Sequence, residues 1–330
     1  MEDVTSVEFE GEAAETAELL KRRITILNER AWEHKLDNDS INRWLGNFTG
    51  KSGLPVDVER LHALYLLSQF LYFGSREIRV LLRAIYNELF LAPLVKEVRE
   101  ELGGIRDLSV IRPALEEAFR KTRFLGVGNP SESGVHLLYY FRQENGLSKK
   151  QFADNAQIIT RDKDSGERIL RYPEIERYVF VDDVCGSGET AVRYSDSFLS
   201  EILSLNSNVK VYYFCLFANS DGMNVVRRDS IFGENCGAVY EFDSSYKCLS
   251  DDSRFFKSMP KGVDLESARL VATKYGEILC PAHPLGYMNS QMLLGFAHNT
   301  PDNTLPIIWM DGDNNPFSSW SSAFKRYPKV

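Results

Sequence analysis

The chain has 330 residues, 43% hydrophobic and 12% aromatic, enough to build a packed core in two domains or one large one. Its 47 acidic residues outweigh 39 basic ones, for a net charge of −8, which disfavours a broad basic surface for nonspecific nucleic-acid binding. The start, "MEDVTSVEFEGEAAE", lacks the basic-then-apolar order of a secretion signal, no apolar run is long enough to span a bilayer, and the five cysteines form no CxxC pair; a cytoplasmic chain with reduced thiols and no membrane partner is expected.

Up to residue 120 the pattern is helical, with apolar residues returning every three or four positions in "AELLKRRITILNERAWEHKL" and "VERLHALYLLSQFLYF". The stretch "REIRVLLRAIYNELFLAPLVKEVREEL" follows Gly74-Ser75, carries Pro93 as an expected kink or break, and stops near Gly103-Gly104. A shorter helix, "PALEEAFRKT", closes this region. From Arg123 short β-rich runs alternate with helices: "RFLGVG", the helix "GVHLLYYFRQENG", "NAQIIT", "RYVFVDDV", a helix from about Thr190 to Leu205, and "VKVYYFCLFAN". That alternation predicts a parallel sheet. The expected organisation is α/β: an α-helical N-terminal region over residues 1–120, then a parallel-sheet domain over 121–330.

The stretch "RYVFVDDVCGSGET", residues 177–190, carries the chemistry. "YVFV" is a continuous apolar run, as in a strand covered on both faces, and Asp182 and Asp183 fall where that strand leaves the sheet. Ligands of parallel α/β sheets gather at those carboxyl ends. The next segment supplies Gly186 and Gly188 for tight turns and Ser187 and Thr190 as hydroxyls, with Glu189 between them and a helix starting at once. Backbone amides there, with the positive end of the helix dipole, suit a phosphate. Carboxylates only accept hydrogen bonds, so the aspartates suit sugar hydroxyls or a hydrated Mg2+ ion. A ribose 5-phosphate satisfies all of these groups at once.

An apolar strand, Asp-Asp, Val, two small residues, Ser, Gly, one residue and Thr resembles the phosphoribosyl-diphosphate-binding signature of type I phosphoribosyltransferases. The resemblance implies that Asp182 and Asp183 contact the ribose 2- and 3-hydroxyls and that Gly186, Ser187, Gly188, Glu189 and Thr190 cradle the 5-phosphate. It places a pyrophosphate loop upstream, in "GNPSESG", at Asn129, Ser131, Glu132, Ser133 and Gly134. It also places a mobile catalytic loop at "IITRDKDSGERILRY", where Arg161, Lys163 and Arg168 would stabilise the departing diphosphate; an ordinary exposed hairpin with solvated charges accounts for the same residues. Mg2+ would enter with the ligand near Asp182 and Asp183, without a protein metal cage.

Two residues depart from the pattern. Glu132 and Glu189 put acidic groups beside both expected phosphate positions, and one unit charge about 8 Å from another costs about 2 kcal/mol at an effective dielectric of about 20. The expected activity therefore stays open between a phosphoribosyltransferase, a nucleotide N-glycosidase acting at the same anomeric carbon, and a catalytically inactive nucleotide-sensing or assembly module. The region from "GAVYEFDSSYKCLSDDSRFF" onward occupies the place of the superfamily's variable hood. With the long helical start and the ending "GFAHNTPDNTLPIIW", the chain is similar to phosphoribosyltransferase-like proteins of prokaryotic conflict systems, including retron-linked effectors. That resemblance implies an anti-phage role with a partner protein or a reverse transcriptase–DNA complex.

Overall fold

A computed structural model describes residues 7, 9–127, 133–311 and 319–327, with backbone alone at 12 and 133–136. Helix α1 (Gly11–Arg30) leads to α2 (Asn38–Gly46), whose first turn is capped by Asp37 accepting from Ser40 N–H at 2.7 Å, and to α3 (Val56–Ser68). The last residues of the second expected helix are instead a strand, β1 (Leu71–Phe73), which pairs in parallel with Leu294–Phe296 near the other end of the chain. A periodic apolar run cannot by itself distinguish a helix end from a short buried strand.

Helix α4 (Ser75–Ala84) passes through a π-helical stretch, Ile85–Leu91, into α5 (Ala92–Glu101). Pro93 therefore does not break the helix. Its missing N–H falls at the head of α5, and the wider turn before it lets Ala92 N–H donate to Asn87 O, five residues back. Then come α6 (Leu108–Arg120), β2 (Thr122–Gly126), α7 (Ser133–Glu144), the short antiparallel hairpin β3 (Ile159–Arg161) and β4 (Arg168–Leu170), and β5 (Arg177–Cys185). Helices α8 (Glu189–Tyr194) and α9 (Ser200–Leu205) are joined by another π stretch, Ser195–Leu199. Strand β6 (Lys210–Asn219), α10 (Ser220–Asp229) and β7 (Cys236–Phe242) follow, then α11 (Leu265–Leu279), β8 (Leu294–Phe296) and α12 (Pro306–Trp309). No helix among the described residues is long and apolar enough to cross a membrane.

The chain forms two compact units, one from Met1–Arg76 with Asp243–Val330 and the other from Glu77–Phe242. The change of sequence texture near residue 120 marks the start of β2, whereas the units divide at 76 and 243. In the first unit, residues far apart in the chain share a core of Trp44, Phe48, Tyr275 and Trp320. Trp44 Nε1 donates to Ile307 O at 2.7 Å. This unit also holds a fully buried carboxylate, Glu59, which accepts from Gly50 N–H (2.6 Å), Ser52 N–H (2.7 Å) and the Tyr275 hydroxyl (2.6 Å).

The second unit is built on a four-stranded sheet in the order β2-β5-β6-β7, with every neighbouring pair parallel, the mixed α/β architecture expected from the alternating pattern. One face carries Tyr178, Phe180 and Tyr213 against Phe232 and the α8–α9 helices, and Phe124 contacts Phe90, Phe119 and Phe141. Coverage on both faces explains why β5 is apolar without alternation from Tyr178 to Val181. At the amino end of the sheet Arg177 is buried and paired with Glu97 of α5 at 2.7 Å, and Lys210 joins the same carboxylate. These partners hold the Glu97 carboxyl below the usual range against the desolvation that opposes them. The opposite end of β5 carries two adjacent acids, Asp182 and Asp183.

Candidate functional site

The register Asp182↔Cys215 sets the carboxyl end of β5 beside the middle of β6. Residues facing the same side of neighbouring strands lie at matched positions, so Phe180 and Asp182 share a face with Tyr213 and Cys215. The Tyr213 hydroxyl reaches along β6 and donates to Asp182 Oδ2 at 3.0 Å, while Asp183 N–H donates to Asp182 Oδ1 at 2.9 Å. Both oxygens of Asp182 are therefore held by donors. Asp183 Oδ1 accepts from Val184 N–H at 2.8 Å, and Asp183 is buried.

Asp182 keeps some solvent contact, yet protein surrounds it closely enough that desolvation is the first cause raising its carboxyl well above the usual carboxylate range. The Asp183 charge adds to the rise, and the Tyr213 hydrogen bond opposes it. Burial, then the Asp182 charge, push the Tyr213 hydroxyl well above the usual phenol range. The Cys185 thiol is pushed up to about 12, mainly by burial and then by Asp182. It and Cys215, raised well above the usual thiol range by burial first, remain protonated at neutral pH. Neither has the low-pKa thiolate of a nucleophilic cysteine, and all five cysteines are unpaired as disulfides.

The loop after β5 turns on a glycine. Gly188 lies in the left-handed region, with φ +81°, directly before α8. A Cβ there would come 2.5 Å from Gly222 O, and a Cβ on Gly222 would come 2.1 Å from Gly186 O. The loop and the first turn of α10 thus meet backbone to backbone, at a distance that only glycine on both sides permits. Ser187 and Glu189 are partly exposed and Thr190 is exposed, with Ser187 Oγ accepting from Glu189 N–H at 3.4 Å. Asp182, Asp183 and Gly186–Thr190 therefore occupy one continuous strand end, loop and helix head, as their spacing implies.

The basic residues lie on the β3–β4 hairpin. Asp162 closes its turn by accepting from Asp164 N–H and Ser165 N–H, and Arg161 donates to Gly166 O at 3.2 Å. Lys163 is exposed. Arg168 pairs with Glu201 of α9 at 2.6 Å. Glu201 stands 12 residues beyond Glu189, the first residue of α8, about 18 Å along the helical run at 1.5 Å per residue. In this arrangement the Arg168 charge is committed to α9 rather than to the Gly186–Thr190 loop. Of the expected pyrophosphate loop, Asn129, Ser131 and Glu132 lie outside the described residues, and Ser133 and Gly134 begin the backbone of α7.

Two participants escape a reading of the sequence. Gly222 sits in "FANSDGMN", where a glycine near a helix start reads as an ordinary turn residue; only the close approach of Gly186 explains it. Tyr213 is one aromatic among several in "VKVYYFCLFAN", although a hydroxyl in a buried strand is itself a signal, because such a group needs a partner.

A parallel α/β sheet whose central strand ends in Asp-Asp and enters a glycine loop at the head of a helix defines a phosphoribosyltransferase-like domain. The family follows from the wider sequence: the PRTase-CE family model matches residues 41–326. The chain belongs to the PRTase-CE family. Neither the curated proteins nor the solved structures give a match.

Proposed function

We propose that the carboxyl end of β5 binds a ribose 5-phosphate group, presented by phosphoribosyl diphosphate or a related nucleotide. The observation that carries this reading is the continuity of the Asp182-Asp183 strand end with a loop in which left-handed Gly188 heads a helix and packs on Gly222. Carboxylate oxygens suit the sugar hydroxyls, and the amides of the loop suit the phosphate. Among the described residues no group of three metal-ligating side chains is gathered. The donor set fits Mg2+ carried in on the ligand, with Asp182 and Asp183 facing its hydration shell. The ion would offset diphosphate charge beside Glu189. In transfer chemistry the domain's own contribution is electrostatic positioning of an electron-poor sugar, with no covalent nucleophile.

The test is calorimetric titration with phosphoribosyl diphosphate, with and without Mg2+, on the wild type and on a double variant, Asp182→Asn with Asp183→Asn. Metal-dependent binding in the wild type that vanishes in a folded double variant is the expected result. Wild-type protein that is folded and binds no ribose phosphate would overturn the assignment.

A second reading, ligand binding without turnover, is favoured by the pairing of Arg168 with Glu201. A binder shows affinity and releases neither diphosphate nor free base with any acceptor, whereas an enzyme releases one of them. Work as an anti-phage effector, with a partner protein or a reverse transcriptase–DNA complex, is the setting supported by the resemblance to conflict-system proteins. Plaque counts in cells carrying the double variant test it.

A further inference from the structure

The Asp182 carboxylate is held by two bonds, and one of them depends on a neighbouring strand. Both oxygens are engaged, Oδ1 by the next residue's amide and Oδ2 by the Tyr213 hydroxyl. The first bond is local and comes from the backbone of β5. The second depends on the β5–β6 register, since Tyr213 lies opposite Phe180 and its ring must extend two positions toward the carboxyl end to reach Asp182. Tyr213 is 1% exposed, packed against Phe232 at 5.4 Å between ring centres. A ring so enclosed cannot swing, so its hydroxyl is a fixed point.

We propose that Tyr213 is a positioning residue for the sugar-binding half of the site, holding the Asp182 carboxylate so that its remaining lone pairs meet ribose hydroxyls. The inference rests on the ribose-phosphate reading given above. Each carboxylate oxygen accepts more than one hydrogen bond, so holding Oδ1 and Oδ2 from the protein side fixes the plane of the group and leaves capacity for a ligand. Among the described residues, loss of the Tyr213 hydroxyl leaves the Asp183 amide as the donor that fixes that plane. Among the described residues, the titratable groups that act on Asp182 or its neighbours are Asp183 and Cys185 on its own strand and Tyr213 and Cys215 on β6. A displaced or protonated Asp182 then follows from loss of the hydroxyl. The phosphate loop is untouched, because its geometry rests on Gly186, Gly188 and Gly222.

This separation gives the test. Affinities for inorganic phosphate and for ribose 5-phosphate, both with Mg2+, are measured by calorimetry on the wild type, Tyr213→Phe and Ser187→Ala, with thermal melting as the fold control. The wild type binds ribose 5-phosphate more tightly than phosphate. Tyr213→Phe weakens ribose 5-phosphate about tenfold, the loss expected for one hydrogen bond to a charged group, and leaves phosphate within twofold. Ser187→Ala weakens both ligands together. Substitution of 3-fluorotyrosine at 213 retains the hydroxyl and with it the preference for the sugar, so a result exists even where phenylalanine disturbs folding. Equal affinities in Tyr213→Phe and wild type would assign Tyr213 to packing alone. A parallel loss for both ligands would make it a structural residue of the whole site and equally overturn the proposal. Wild-type protein that binds neither ligand removes the site reading itself, and the inference with it.

Discussion

Glu59 and Asp182 are both sheltered carboxylates and both accept a hydrogen bond from a tyrosine, yet they are built for different ends. Glu59 is fully buried, takes two backbone N–H bonds besides the Tyr275 hydroxyl, and so pins the loop before α3 to α11. Tyr275 completes the arrangement by accepting from Thr49 N–H at 2.7 Å. Asp182 has a second acid as its next residue, keeps contact with solvent, and sits beside a glycine loop. A carboxylate surrounded by donors stabilises the fold. One raised by burial and a like charge costs the fold free energy, as the ribose-phosphate reading proposed above requires of a ligand-facing acid.

The contrast can be broken by substitution, and the largest effect is expected at Glu59. Glu59→Ala strands two buried donors, Ser52 N–H and the Tyr275 hydroxyl, and the half-buried Gly50 N–H, at about 1–3 kcal/mol for each buried one, so melting falls steeply while any ligand affinity of the sheet unit is kept. Asp182→Asn should leave the melting temperature unchanged or higher, because it removes a like-charge contact. A loss comparable with that of Glu59→Ala would make Asp182 a structural group too. Gly222→Ala comes next: its methyl would lie 2.1 Å from Gly186 O, an overpacking cost of about 1–3 kcal/mol. Phosphate affinity measured by calorimetry should fall with it, since the phosphate loop must move.

A smaller effect appears in the pH dependence. Because the Asp182 carboxyl titrates higher in the folded chain than when exposed, the folded state holds the extra proton between those two values. Its contribution to stability is therefore greatest at low pH and is lost as pH rises through the folded value, from about pH 4 upward. The melting temperature of Asp182→Asn minus that of wild type should rise with pH over that window; a flat difference would show that the carboxyl is not raised. Carboxyls held low, such as Glu97, act with the opposite sign and cancel in this difference. The smallest change belongs to Arg168→Ala, which removes a pair with both partners partly or fully exposed and costs about 0.5 kcal/mol or less in melting experiments.

Much of the sheet was legible because its signals are local. The apolar run of β5 requires cover on both faces, Asp182-Asp183 mark its end, and Gly186–Gly188 mark the turn into a helix. The rest depends on register and on contacts between distant segments. Nothing in "VKVYYFCLFAN" states that Tyr213 rather than Tyr212 faces Asp182, because a shift of one residue would exchange them. Leu71–Phe73 reads as the end of a helix until its partner, Leu294–Phe296, is in place. Gly222 shows its role only when Gly186 stands against it.

The division of the first unit between the two sides of the second sets a timetable for its assembly. Glu59 waits for Tyr275, 216 residues later, which at about 5–20 residues per second is a delay of about 10–40 s during synthesis. The whole of Glu77–Phe242 leaves the ribosome within that interval. Helices α1 and α3 pack on each other within this early segment, and it is the side of α3 that meets α11 that spends the wait open to whatever chaperone or neighbouring chain reaches it.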